Sequence, residues 1–151
     1  DKKYWHTEVG FNYRMTNLQA ALGVAQLERI DEILLKRKEL FEYYQERLKN
    51  VQGIKLNYKA SWAKNVYWLI SIEIDGYIES QRDKFIQKLK TKNIDSRPYF
   101  YPLSDMPMYE NADTPMTHKV YQRGLFLPSY FDITKDEVNY ICKEIINILK
   151  V

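Results

Sequence analysis

The sequence predicts an α+β fold, in which a long connecting helix leads into a small sheet with helices on one face. Three observations predict it. A helical pattern runs from Thr16 to Asn50 without a breaker. Two runs rich in β-branched and aromatic residues follow, at 53–58 and 65–74. Two amphipathic runs, 79–93 and 134–149, then return to the helical period.

Residues 1–15 read as an irregular, aromatic approach segment. Thr16 with Gln19 fits a capping box, the threonine oxygen accepting from a free backbone N–H while the glutamine reaches back. Leu27, Ile30, Leu34, Phe41, Tyr44 and Leu48 then share one helical face, and Glu28, Asp31, Lys36, Lys38 and Glu42 occupy the others. The first turns differ. Leu18, Ala20, Ala21, Leu22, Gly23, Val24 and Ala25 make residues 18–25 apolar nearly all round. A helix apolar on all sides is buried on all sides. The rest of the chain supplies cover from one direction, so the remaining cover is expected from an N-terminal domain or a second subunit.

After Gly53, "GIKLNY" is a short strand and "NVYWLISIEI" (65–74) a stronger one. "ESQRDKFIQKLKTKN" (79–93) is a helix with Phe85, Ile86 and Leu89 inward. "IDSRPYFYPL" (94–103) starts as a strand, which Pro98 and Pro102 confine to an edge or send into a loop. "SDMPMYENADTP" is loop, "MTHKVYQRG" a short helix stopped by Gly124, and "LFLPSY" a brief extended piece. Thr134 and Glu137 form a second capping box, opening a last helix with Val138, Ile141, Cys142, Ile145 and Leu149 inward.

The totals exclude several classes of function. A chain of 151 residues is one domain, or a domain with an extension. Its net charge of +3 comes from 23 basic and 20 acidic residues, interleaved as in "RKELFEYYQERLKN". That is a solvated face, and no nucleic-acid partner is expected. No run is long and apolar enough for a membrane span, so no membrane partner is expected. The single cysteine, Cys142, forbids an intrachain disulfide and fits a reducing, cytoplasmic setting. His6 and His118 lack ligand spacing, and no metal is expected. The 13 tyrosines suit an interface or a polar ligand pocket. The opening "DKKYWHTEVG", without a Met, reads as the start of a piece of a longer protein.

Two stretches could carry chemistry. In "GFNYRM", Asn12 offers an amide, Arg14 a fork of donors, and the helix behind them free N–H groups, a set suited to phosphate. The same residues could simply brace the turn. In "SRPYFYPLSDMPMY", Arg97, Tyr99, Tyr101 and Tyr109 could line a pocket for a ring-bearing polar ligand, or pack on the sheet. No nucleophile, base and oxyanion site assemble, and no catalytic residue is assigned.

The run "YWHTEVGFNYRMTNLQAALGVAQLERIDEI" resembles the DegT/DnrJ/EryC1/StrS aminotransferases, pyridoxal-phosphate enzymes of fold type I that transaminate nucleotide-linked keto sugars. The likeness continues through "NVYWLISIEI", "SRPYFYPLSDMPMY" and "GLFLPSY" into the last helix. It implies that residues 1–15 are the tail of a large cofactor domain, 16–50 the connecting helix and 51–151 the C-terminal small domain. It implies that the Schiff-base lysine lies upstream of "YWH", so that the 151-residue chain alone is inactive and does not bind pyridoxal 5'-phosphate covalently. It implies a homodimer, in which Asn12 reaches the cofactor phosphate of the neighbouring subunit. Arg97, Tyr99 and Tyr101 match the segment that approaches the substrate, and Arg14 braces the turn. The implied partners are a nucleotide-linked keto sugar and an amino donor, glutamate. Where the family often has a histidine after "PL", this chain has Ser104. "RPYFYPLS" is nearest the branch acting on 4-keto-6-deoxy sugars, as perosamine synthases do. Two alternatives remain: a lysine-less relative acting as a dehydratase or regulator, and a standalone sugar-nucleotide binding module.

Overall fold

A computed structural model describes residues 4–150. The helices are α1 (Asn17–Leu27), α2 (Ile30–Leu48), α3 (Glu79–Lys90), α4 (Pro115–Arg123) and α5 (Lys135–Leu149). The strands are β1 (Ile54–Leu56), β2 (Ile70–Ile74), β3 (Arg97–Pro98) and β4 (Gly124–Leu127), paired antiparallel in the order β1-β2-β4-β3. The α+β architecture expected from the sequence is therefore present.

The register decides what each face holds. Ile54 pairs with Ile74, Leu56 with Ile72, Ile72 with Leu125 and Ile70 with Leu127. Paired residues point the same way, so these aliphatic side chains form one apolar face. Phe41, Tyr44 and Leu48 of α2, Phe85 and Leu89 of α3, and Val138, Ile141, Cys142 and Ile145 of α5 bury against it. Each such side chain contributes about 1.5–3 kcal/mol when fully buried. The Tyr44 hydroxyl reaches the core edge and donates to the Pro128 carbonyl at 2.9 Å. Burial pushes the Cys142 thiol up to about 12, which leaves it an inert core group.

Both expected capping boxes form. Thr16 Oγ1 accepts from Gln19 N–H at 3.3 Å while Gln19 Oε1 accepts from Thr16 N–H at 2.9 Å. Thr134 and Glu137 do the same at 3.2 and 2.7 Å. Pro98 lies on an edge strand of two residues that pairs only with β4, as a proline requires.

Three expectations need correction in detail. The long helix is not continuous. Arg29 takes φ −112°, ψ 14°, and its N–H turns to the Gln26 carbonyl at 3.2 Å, so α1 ends and α2 restarts at Ile30. No Gly or Pro marks the break. From Phe41 onward α2 is fixed on the core, whereas α1 buries no residue at all. The Arg29 guanidinium folds onto Glu32 at 2.9 and 3.0 Å and stays with α2.

The second strand is also shorter than its sequence pattern. Asn65 Oδ1 accepts from Tyr67 N–H at 2.8 Å, and Tyr67 takes φ +50°, which lays its ring on Phe41 at 4.0 Å. The ladder begins only at Ile70. Just before it, the Asn57 amide donates to the Leu69 carbonyl and accepts from Ser71 N–H, both at 2.8 Å, in place of a further strand pair.

Gly124 ends α4, but not in the left-handed conformation a glycine stop implies. Its φ is −93° and ψ 143°, ordinary extended backbone. Glycine is required there by proximity: a Cβ would lie 2.3 Å from Tyr99 Cδ2.

The sheet's other face carries Ser71, Glu73, Arg97 and Phe126, by the same register. Arg123 closes on Glu73 at 2.6 Å, with both side chains largely buried. The loop 99–114 is tied to α4 by His118. Its Nε2 is 2.8 Å from Asp105 Oδ1, and its Nδ1 is 2.8 Å from the Thr114 carbonyl. Two acceptors facing two ring nitrogens favour the imidazolium. The Thr114 carbonyl and then Asp105 raise the His118 pKa above its ordinary value.

Two outcomes follow. Replacing Gly124 with Ala should lower unfolding stability by about 1–3 kcal/mol, the cost of displacing a packed ring. A urea titration matching wild type within error would contradict the contact. Because the folded pKa of His118 is raised, its stabilising effect is complete below pH about 6.5 and fades as pH rises through the folded value. An NMR titration of His118 should have its midpoint above 6.5; a midpoint below it would contradict the geometry.

Candidate functional site

Alternation along residues 97–101 builds the candidate site. Arg97 opposes Phe126 in the ladder, and the Tyr99 N–H donates to the Gly124 carbonyl at 3.1 Å, continuing the same edge. Arg97 and Tyr99 therefore stand on the sheet face away from the aliphatic core. Tyr101 follows two residues on.

Each of these side chains meets a different environment. Arg97 is exposed; its guanidinium donates to the Tyr4 hydroxyl at 3.0 Å and pairs with Asp95 at 3.2 Å. These partners hold its charge more firmly than usual. Tyr99 stacks on Phe126 at 4.8 Å, and burial raises its phenol above the ordinary value, opposed by a hydrogen bond with Ser71. In this chain its ring covers Gly124. Tyr101 is half-buried, with the Trp5 ring edge-on at 5.5 Å and the Tyr121 ring at 5.0 Å.

Phe100, between them, meets Tyr4 edge-on at 5.3 Å and Trp68 at 6.5 Å. Tyr4, Trp68, Arg97, Phe100, Phe126 and Tyr140 are among the residues that line a cleft of about 600 Å³. Its charged groups are the Arg97 guanidinium and the carboxylates of Asp95 and Glu137. Such a wall can stack a ring and orient a polar or anionic group beside it.

Asn12 lies apart from this cluster. It is exposed, on the irregular segment before α1, and makes no hydrogen bond among the described residues. Arg14 is exposed on the same segment. Thr16 and Gln19 satisfy each other in the cap, which leaves the Asn12 amide, the Arg14 guanidinium and the first N–H groups of α1 as donors. Amide, guanidinium and helix N–H donors are groups that suit a phosphate.

Sequence reasoning missed Tyr4 and Trp68 as lining residues of the cleft, and Trp5 as the ring beside Tyr101, which with Tyr99 stands outside that lining. The signal was the "YW" pair at 4–5, whose importance depends on a contact across more than ninety residues. Among the described residues no group of His, Cys, Asp and Glu could hold a metal ion. No described helix is long and apolar enough to cross a membrane.

Known proteins are similar to this chain over nearly its whole length. The chain is 39% identical to the GDP-perosamine synthase of Vibrio cholerae over 150 residues, which is 97% of this chain and 41% of that protein. It is 35% identical to the dTDP-4-amino-4,6-dideoxy-D-glucose transaminase of Escherichia coli, over 91% of this chain and 39% of that protein. The chain thus spans about two fifths of the length of the curated relatives it matches. Among solved structures, Helicobacter pylori PseC, an aminotransferase involved in the biosynthesis of pseudoaminic acid, superposes with a TM-score of 0.80 at 18% identity, covering 95% of this chain and 40% of PseC. That likeness is one of fold. A family model matches residues 1–146, a span that takes in the Asn12 segment, both sheet faces and most of α5, and the chain belongs to the DegT/DnrJ/EryC1/StrS aminotransferase family.

Proposed function

We propose that this chain is the C-terminal part of a pyridoxal-phosphate-dependent aminotransferase acting on a nucleotide-linked keto sugar. The observation that carries the reading is the 39% identity to a GDP-perosamine synthase across 97% of the chain. Within the family, the substrate is then a GDP-linked 4-keto-6-deoxy sugar and the amino donor glutamate. Residues 1–15 close off a large cofactor domain, 16–50 connect, and 51–151 form the small domain. The working enzyme is a cytoplasmic homodimer.

When bound, pyridoxal phosphate supplies an electron sink for amino-group transfer. The residues of this chain bind and orient. Asn12 donates its amide to the cofactor phosphate in the neighbouring subunit's site, which accounts for an exposed amide with no partner of its own. Arg97 offers its guanidinium to an anionic part of the substrate, held in place by Asp95 and the Tyr4 hydroxyl. Tyr101 presents an aromatic face to the substrate, set against Tyr121, and Tyr99 packs on Phe126 at the sheet edge. In this reading these side chains bind and orient, and the 151-residue chain alone does not transaminate.

The apolar surface of α1 supports the same reading. Leu18, Leu22, Val24 and Leu27 are 75%, 64%, 56% and 66% exposed, on a helix that buries nothing within this chain. A patch of that kind on a monomer is an interaction surface, and here the large domain and the second subunit cover it.

The test uses the reverse direction. The full-length protein, supplied with pyridoxal phosphate, GDP-perosamine and 2-oxoglutarate, should form glutamate, and the 151-residue chain should form none. Changing Asn12 to Ala in the full-length protein should weaken cofactor retention roughly tenfold, the loss of about one charge-assisted hydrogen bond. No glutamate from the full-length protein would contradict the assignment, and turnover by the isolated chain would contradict its division of labour.

A further inference from the structure

Arg82 is the largest fully buried side chain of the described residues, with 1% of its surface exposed. It sits on α3 three residues before Phe85 and seven before Leu89, on the stripe that faces inward. A charge on that stripe needs a reason. As a source of stability it is poor, because desolvating a guanidinium offsets most of what its bonds return. What it supplies is direction: a rigid, planar set of donors.

One of those donors, the face of the guanidinium and one of its carboxylate partners all meet Tyr121. Nη1 donates to the Tyr121 carbonyl at 2.6 Å, and the guanidinium carbon lies 4.9 Å from the Tyr121 ring centre. The other side of the fork is held by Asp83 at 2.8 Å and Glu79 at 3.5 Å. Glu79 also accepts from the Tyr121 hydroxyl at 2.5 Å. Tyr121 is thus fixed at its carbonyl, its ring face and its hydroxyl. Its other neighbour is Tyr101, 5.0 Å away between ring centres at 38°.

We infer that Arg82 is a positioning residue for the substrate side of the site, acting through Tyr121 on Tyr101. The inference rests on the reading of Tyr101 as a substrate-facing residue. Arg82 touches neither substrate nor cofactor. It anchors α4 to α3, and α4 presents the Tyr121 ring as the backstop against which Tyr101 is set. Loss of the guanidinium frees Tyr121 to tilt, and a shift of about 1 Å at a wall residue is enough to change substrate affinity measurably.

The experiment compares two substrates of the full-length holoenzyme. With GDP-perosamine and 2-oxoglutarate, Arg82→Met should raise KM for GDP-perosamine roughly tenfold while leaving KM for 2-oxoglutarate within about twofold. The split is expected because the proposal puts Tyr101 beside the nucleotide-linked sugar and not beside the keto acid. Arg82→Lys should recover part of the loss. If Arg82→Met does not fold, Tyr121→Leu, which keeps the carbonyl bond and removes the ring, should give the same split. Equal changes in both KM values, or none, would overturn the inference.

A second readout is independent of turnover. With 3-fluorotyrosine placed at position 101 of the full-length protein, Arg82→Met should shift or broaden its fluorine resonance. An unchanged resonance overturns the positioning role. Wild-type enzyme that fails to use GDP-perosamine, with a resonance that still responds to Arg82→Met, means that the substrate assignment has failed and the coupling stands.

Discussion

The four residues of β4 are the constraint on which the remainder depends. Leu125 and Leu127 point into the aliphatic core under α2, α3 and α5, while Gly124 and Phe126 point to the opposite face. A slip of one residue would exchange the two sets. The core would receive an aromatic ring and a glycine, and the edge strand would lose the gap that admits Tyr99. The same register places Arg97 opposite Phe126. Core packing and the geometry of the candidate site are therefore set by one short strand.

The opposite face is built by two kinds of contact. Aromatic rings from distant segments, Tyr4, Trp5, Trp68, Phe100 and Tyr101, meet edge-on or stacked and cover the sheet without needing regular structure. Polar ties then fix the loops that carry them: His118 to Asp105 and Thr114, Arg123 to Glu73, and Arg82 to Tyr121. This division explains how an irregular loop with two prolines holds several tyrosines in one layer. Loops on rigid scaffolds commonly carry binding residues, since the scaffold supplies the precision that the loop lacks.

Much of this could be read in the sequence, because the signals were local. Thr16–Gln19 and Thr134–Glu137 announce helix starts by side-chain chemistry three residues apart. Pro98 announces an edge, and the face of α5 follows from its period. The segment carrying Arg97, Tyr99 and Tyr101 could be singled out by its residue types, though not the separate environment each side chain enters. What could not be read depends on contacts between distant segments. The break at Glu28–Arg29 falls where no Gly or Pro stands, between a helix that buries nothing and one fixed on the core. The need for glycine at 124 comes from a ring twenty-five residues upstream. The shortened β2 reflects Tyr67 leaving the strand to reach Phe41. Arg82 could have been noticed as a charge on an apolar stripe, but its target, Tyr121, could not. Asn12 meets none of the other candidate residues, so its role comes from resemblance and not from geometry.

The helix α1 holds the central claim, that this fold completes a larger protein. Its apolar residues were legible as needing cover from two directions, and within the described residues they have it from none. Hydrogen exchange of the α1 amides, 17–27, in the full-length protein tests this most directly. A short helix that buries nothing opens readily, so covered and uncovered states differ greatly in protection. The account predicts strong protection of α1, comparable with that of α5. Exchange as fast as in the connecting loops would contradict it, leaving the apolar face of α1 exposed in the whole protein and the proposed assembly without its interface.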